Sequence, residues 1–409
     1  MSVQHFQFKI LSMYQKAITG IIAVLLCVVV NAQQPMKELI AENMQLAAQQ
    51  YKLLAAKTPG DSMPRHYDSR LQKWVNSDTK WWCSGFFPGS LWLIYEYTKD
   101  ESIRKEAEKR LSILEQEKHY TENHDLGFMM FCSFGNAYRI TGNKTYKPTI
   151  DTAAKSLITR YRPAIQSIQS WDSNDKLKCP VIIDNMMNLE LLMWVAQHGD
   201  DQKLKEIAIT HANSTLERHF RPDGSSYHVL DYDLSTGKII RRQTWQGAAD
   251  ESAWSRGQSW GFYGFTMMFR FTKDEHYLKQ AQKIAKFIFN HRNMPSDLVP
   301  YWDFNAPGIP DTWRDASAAA INASALLELA QYVNKQEAKN YIDKAEKIIR
   351  SLSSEKYRAK QGENGGYLLM HCVGNLPFHS EIDTPLTYAD YYFLEALQRY
   401  QQWVLNKTN

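Results

Sequence analysis

The sequence predicts an all-α protein, an (α/α)6 barrel of six inner and six outer helices. Apolar residues recur at helical spacing almost throughout. A two-helix unit repeats with a period of ~60 residues, too irregular for a solenoid array. Within each unit the first helix is apolar nearly all round and the second has a charged face. A helix apolar on every side is buried and one with a polar face is peripheral, so six of one kind nest inside six of the other.

The mature chain opens with an unmatched amphipathic helix, MKELIAENMQLAAQQYKLLAA. The first pair is GSLWLIYEY, the polar turn TKDES and IRKEAEKRLSILEQE. The second is LGFMMFCSFGNAYRI, turn TGNKT and YKPTIDTAAKSLITRY; the third is DNMMNLELLMWVAQ, turn HGDDQ and KLKEIAITHANSTLERHF. The fourth is RGQSWGFYGFTMMFRF, turn TKDE and HYLKQAQKIAKFIFNH; the fifth is DASAAAINASALLELAQYV, turn NKQE and AKNYIDKAEKIIRSLS. TPLTYADYYFLEALQRYQQWV closes the set. No Pro/Gly/Ser-rich linker divides the chain, so residues 33–409 read as one domain.

Residues 1–32 read as a secretory leader. Lys9 and Lys16 precede the short apolar run Ala17–Val30, and Val30 and Ala32 supply the small-residue exit. That run is shorter than the ~20 residues a spanning helix needs, and Leu26 before Cys27 argues against a lipoprotein site. Cleavage after Ala32 and export to the periplasm are the expectations. Cleavage lowers the formal charge from +4 to +2. The mature chain has no basic stripe, which disfavours nucleic acid as a partner, and no later segment fit to span a membrane. Cys83, Cys132, Cys179 and Cys372 show no metal-ligand spacing; buried free thiols are the simplest reading.

The turns from inner to outer helices are about four residues long. The return connections, 58–84, 161–183, 220–255, 293–314 and 354–384, are long, and long connections carry function. All open where the inner helices begin, which is therefore the expected site. Asp125, in HDLGF, starts the second inner helix, and Asp184, in IDNMMNLELL, starts the third. Asp is a favoured N-cap, so either alone could merely begin a helix. Together they would face one cavity, and paired carboxylates suit glycosidic chemistry, since crowding raises one pKa.

In the fourth connection, HVLDYD and KIIRRQTWQG read as two strands joined by a turn. His228, Gln246, Arg256 and Trp260 follow at intervals of 18, 10 and 4. Arg256 and Trp260 share a helical face. An Arg at a helix N-terminus opposes the dipole, so Arg256 awaits a carboxylate, either a ligand's or that of Asp250 or Glu251. Trp81, Trp82 and Trp171 lie on the open face, where indoles suit the flat faces of sugar rings.

WWCSGFFPGSLW, NHDLGF, IDNMMNLELL, the spacing from His228 to Trp260, SRGQSWGFYGF, and PYWDFNAP followed by DASAAAINASALLEL together resemble the unsaturated glucuronyl hydrolases, glycoside hydrolase family 88. The resemblance covers nearly the whole mature chain. It implies removal of a 4,5-unsaturated uronic acid from the non-reducing end of lyase-generated oligosaccharides. The reaction hydrates the C4=C5 enol ether. It further implies Asp184 as general acid and then base, with Asp125 binding hydroxyls and keeping Asp184 protonated. His124 completes a His–Asp pair. His228, Gln246 and Arg256 would bind near the uronate carboxylate, and Trp82, Trp171 and Trp260 would form stacking walls. No cofactor or metal is implied, because a carboxylic acid can protonate C4. An unsaturated rhamnogalacturonyl hydrolase or a non-catalytic oligosaccharide-binding protein of the same fold are the alternatives.

Overall fold

The short turns between paired helices close because each supplies two residues with separate tasks. In the computed structural model, which describes residues 33–407, helix α1 (Met36–Lys57) leads to α2 (Phe86–Thr98) and α3 (Glu101–Leu114). Lys99 adopts the left-handed conformation that stops α2, and the Asp100 carboxylate beside it accepts the Ser102 N–H to start α3. Such a cap satisfies an otherwise orphaned donor and contributes about 1 kcal/mol. Gly142 and Asn143 repeat the device between α4 (Asn136–Thr141) and the 3₁₀ turn that enters α5 (Lys147–Ile158). Asp200 and Asp201 do so between α6 (Asn185–Gly199) and α7 (Gln202–Arg218). Lys273 and Asp274 do so between α8 (Ser255–Thr272) and α9 (Glu275–Asn290). Asn334 starts α11 (Lys335–Leu352) after α10 (Ala316–Leu329), and α12 (Thr387–Tyr400) follows.

Chain contacts group the residues from Ile40 onward as one unit, separate from those up to Leu39; the barrel is that larger unit. The expected leader lies outside the described residues. Among the described residues the inner helices are α2, α4 with its preceding turns, α6, α8, α10 and α12. Each packs on the next, and α12 returns to α2, closing the ring. The outer helices are α1, α3, α5, α7, α9 and α11. Every residue of α10 is buried, whereas α11 fully buries only Ala345, Ile348, Ile349 and Leu352. Tyr51 of α1 stacks on Phe87 of α2 at 5.7 Å and donates to Asp390 of α12. At the inner helices' C-terminal ends, Arg270 pairs with Glu190 and Glu328, and Arg399 with Glu328 and Glu395. This ionic lattice lies at the opposite end from the long connections. No helix among the described residues is long and apolar enough to cross a membrane.

One inner element departs from regular geometry. Gly127–Gly135 forms π-helical turns before α4; a wider turn of this kind often occurs at functional sites. A Cβ on Gly127 would sit 2.4 Å from Asn188 Cα, and one on Gly85 2.1 Å from Met129 O. Only glycine permits these approaches, which press α2, the π turns and α6 together directly beneath the long connections.

The connections fold back as small sheets. The two strands expected around residue 230 are β6 (Val229–Asp233) and β7 (Lys238–Gln243). β6 also pairs with β5 (Pro180–Ile182), which leads into Asp184. Further hairpins are β1 (Met63–Asp68) with β2 (Lys73–Ser77), β3 (Tyr161–Arg162) with β4 (Ser167–Ile168), and β8 (Cys372–Asn375) with β9 (Ser380–Thr384).

Candidate active site

The N-terminal ends of the inner helices surround a cavity of about 310 Å³. Seven of the nine residues singled out in the sequence line it: Asp125, Asp184, His124, Trp82, Trp171, Gln246 and Arg256. A bridge between Asn123 and Trp171, with His124 N–H donating to Ser170 O at 2.9 Å, ties Asp125 to the Trp171 connection. Antiparallel pairing of β5 with β6 places Asp184, and Ile183 N–H donates to His228 O at 3.1 Å.

Neither aspartate serves as a helix cap. The side chain of Asp184, at the N-cap position of α6, accepts no capping N–H, and the π turns after Asp125 start without a side-chain cap. Asp100, Asp201, Asp274 and Asp315 all do accept such bonds. Burial raises both carboxyls. Asp125 rises to about 8, with the Asp184 charge adding to burial while Asn188 and Arg160 oppose it. Asp184 rises to about 7, held down in part by the Arg256 guanidinium. At neutral pH the pair therefore retains a proton that isolated carboxyls would have lost.

The two histidines are neutral. Burial and Arg160 push His124 down to about 3, and its Nε2 lies 3.4 Å from Asp125 Oδ1. Burial, then Arg256, pushes His228 well below its ordinary value. The N–H groups of Trp245 and Gln246 both donate to His228 Nδ1 at 3.1 Å. That nitrogen must then be the acceptor, so the proton sits on Nε2. Nε2 lies 3.7 Å from Asp184 Oδ2, and neither atom has a hydrogen-bond partner. His228 thus stands behind Asp184 with its remaining proton turned toward it. It is not among the residues lining the cavity.

Three expectations need correction: His228, expected beside the uronate carboxylate, is held against Asp184 instead, and Trp260 and Arg256 also differ. Trp260 is fully buried and packs on Phe128 and Tyr392 at 5.0 and 5.4 Å; it supports the floor and forms no wall. Its place on an inner helix, one turn after Arg256, carries it into the core. Arg256 does not hold an open fork. Nη1 donates to Asp315 Oδ2 at 3.2 Å and to Val373 O, and Nη2 donates to Gly374 O at 2.6 Å. The expected alternative partners are engaged elsewhere, Asp250 with Arg241 and Glu251 with Arg221. The partner is Asp315 because the barrel brings the starts of α8 and α10 side by side. Arg256 therefore pins β8 to the barrel while its charge faces Asp184. Arg256→Lys keeps the charge but forfeits the fork. Thermal melting should shift downward together with a rise in KM; a higher KM with an unchanged melting curve would return Arg256 to a purely ligand-binding role.

Sequence reasoning missed several lining residues: Arg65, Trp81, Ile182, Trp245, Asn375, Ser380, Glu381 and Tyr388. Trp81 is one of the indoles of the open face, next to Trp82, and Trp245 adjoins Gln246 in QTWQG. The Arg65 guanidinium stacks over Trp81 at 4.0 Å and donates to Glu381 Oε1 at 2.6 Å. That pair joins hairpins from opposite ends of the chain, so no local pattern announces it. Trp82 packs on Tyr388 at 4.9 Å, and Trp171 faces Trp245 at 6.2 Å. The cavity thus has aromatic walls, two raised carboxyls and two guanidiniums, Arg65 paired with Glu381 and Arg256 with Asp315.

Residues 55–406 match the model of Glycosyl Hydrolase Family 88. An unsaturated glucuronyl hydrolase of Formosa agariphila is 47% identical over 329 residues, 80% of this chain and 82% of that protein. The crystal structure of an unsaturated glucuronyl hydrolase specific for heparin superposes with a TM-score of 0.87 at 43% identity, covering 90% of this chain and 98% of the other. That of a Streptococcus agalactiae unsaturated glucuronyl hydrolase mutant complexed with dGlcA-GalNAc6S superposes with a TM-score of 0.76 at 28% identity, covering 88% and 91%.

Proposed function

The chain belongs to glycosyl hydrolase family 88, and we propose how its cavity carries out the reaction. The enzyme removes the 4,5-unsaturated uronic acid from the non-reducing end of lyase-generated oligosaccharides by hydrating the C4=C5 enol ether. In our reading the Asp184 carboxyl gives its proton to C4, and positive character develops at C5 and the ring oxygen. The resulting carboxylate draws a proton from water as that water adds to C5. The hemiketal opens and expels the aglycone. Asp125 holds sugar hydroxyls and shares with Asp184 the proton that the pair retains at neutral pH. His228, fixed as the Nε2–H tautomer, steadies the carboxylate left after proton transfer. Trp82 and Trp171 flank the ring.

The observation that carries this reading is the pair of carboxyls, Asp184 buried and Asp125 partly exposed, unused as caps and converging on one aromatic-walled cavity. Glycosaminoglycan-type disaccharides are the substrates it favours. The test is turnover of a panel of lyase-made disaccharides, followed by loss of the near-ultraviolet absorbance of the conjugated uronate. Steady bleaching supports hydration; saturable binding without bleaching would make the protein a sugar-binding relative. The leader-like residues 1–32 support export to the periplasm, and a mature chain beginning at Gln33 in that fraction would check it.

A further inference from the structure

A second concavity, about 580 Å³, lies between the outer helices α9 and α11 and shares no residue with the catalytic cavity. Lys279, Lys283 and Lys286 line it from α9 and Lys344 from α11, over a base that includes Phe289 and Tyr341. Their spacing puts the three α9 lysines on one helical face, over roughly 10 Å at 1.5 Å per residue. Among the described residues none of the four makes an ion pair with a carboxylate, although α11 elsewhere pairs Lys339 with Asp343 and Arg350 with Glu346. Lys344 donates only to Asn340. The one carboxylate of the groove, Glu337, accepts from Asn334 and from Gln282. The groove is thus a local excess of positive charge, on a protein that is close to neutral once the expected leader is removed, with two aromatic rings at its base.

We propose that this groove is a binding site for the anionic, uronate-bearing polysaccharide from which the enzyme's substrates are cut. Ammonium groups along α9 oppose the carboxylates and sulfates of the chain, and Phe289 and Tyr341 give its sugar rings an apolar surface. Such a site would keep the enzyme on the polymer while lyases release new unsaturated ends. The choice of occupant rests on the substrate reading above; the charge of the groove does not.

The test uses intact heparin, whose ends carry no unsaturated uronate and so offer the catalytic cavity nothing to hydrolyse. The wild-type chain should bind it at low salt, and the affinity should fall steeply as the Debye length shrinks from ~10 Å at 0.1 M toward ~3 Å at 1 M. A triple variant, Lys279→Gln with Lys283→Gln and Lys286→Gln, should bind at least tenfold more weakly. It should hydrolyse an unsaturated disaccharide with unchanged kcat and KM. A control triple of equal charge, Lys105→Gln with Lys203→Gln and Lys205→Gln on α3 and α7, should bind as the wild type does. Equal loss in both triples would reduce the effect to net charge and overturn the site. So would undiminished binding in the first triple, or double-stranded DNA competing equally for the same lysines. Failed heparin binding with intact hydrolysis removes the groove alone; failed hydrolysis with intact binding removes the substrate reading alone.

Discussion

Asp184→Asn is expected to lower kcat by ~10²–10⁴-fold, the usual contribution of a positioned general acid. The amide matches the carboxyl in shape but has no acidic proton to give to C4. The fold should survive, because the Asp184 side chain accepts no capping bond that α6 would lose. Stability should even improve at neutral pH. The folded carboxyl titrates near 7, against ~3.9 when unfolded. Between those values the folded state binds the extra proton, so stability falls as pH rises, and the cost is complete above about 7. Asn does not titrate. Its melting temperature relative to wild type should therefore climb between about pH 4 and about 7. Single-turnover assays and melts at both ends of that window check the two halves. Turnover within tenfold of wild type would move the acid elsewhere, with Asp125 the first candidate.

The barrel was legible because its signal is local and repeated. Buried and peripheral helices differ in composition, and each short turn carries its own stop and start, as Lys99–Asp100 and Lys273–Asp274 do. The two aspartates and the residues flanking them were legible for a related reason: each begins an inner helix, so the fold plan alone aims them at one end. What stayed hidden is held by long-range pairs. Arg65 meets Glu381 across 316 positions, and Arg256 meets Asp315 across 59. Trp260 shows the limit of periodicity: it shares a helical face with Arg256, yet one turn of depth separates cavity from core. The tautomer of His228 also follows only from three dimensions, because both N–H donors come from the β7 connection, 17 and 18 residues on.

The corresponding substitution at Asp125 decides whether that residue begins a helix or works in the site. A cap would make Asp125→Asn nearly silent, since Asn caps about as well as Asp. The structure gives the side chain no such bond. The local backbone is secured instead by Asn123, whose Oδ1 accepts Asp125 N–H at 2.9 Å, so the variant should remain folded. Its effect should be electrostatic. In the wild type, burial lifts both carboxyls, Asp184 to about 7 and Asp125 to about 8, the charge of Asp184 adding to the rise of Asp125. The two groups share their protons and titrate as a pair. With Asn at 125 no second carboxyl shares the proton, while the Arg256 charge that favours ionised Asp184 remains. The proton on Asp184 is then lost at lower pH, so the alkaline limb of the kcat profile should shift toward acid. Activity at neutral pH should fall by ~10²-fold or more, through the smaller protonated fraction and the lost grip on sugar hydroxyls. A residue that only bound hydroxyls would raise KM and leave that limb in place. An Asn variant with full activity and an unmoved limb would make Asp125 no more than the start of a helix.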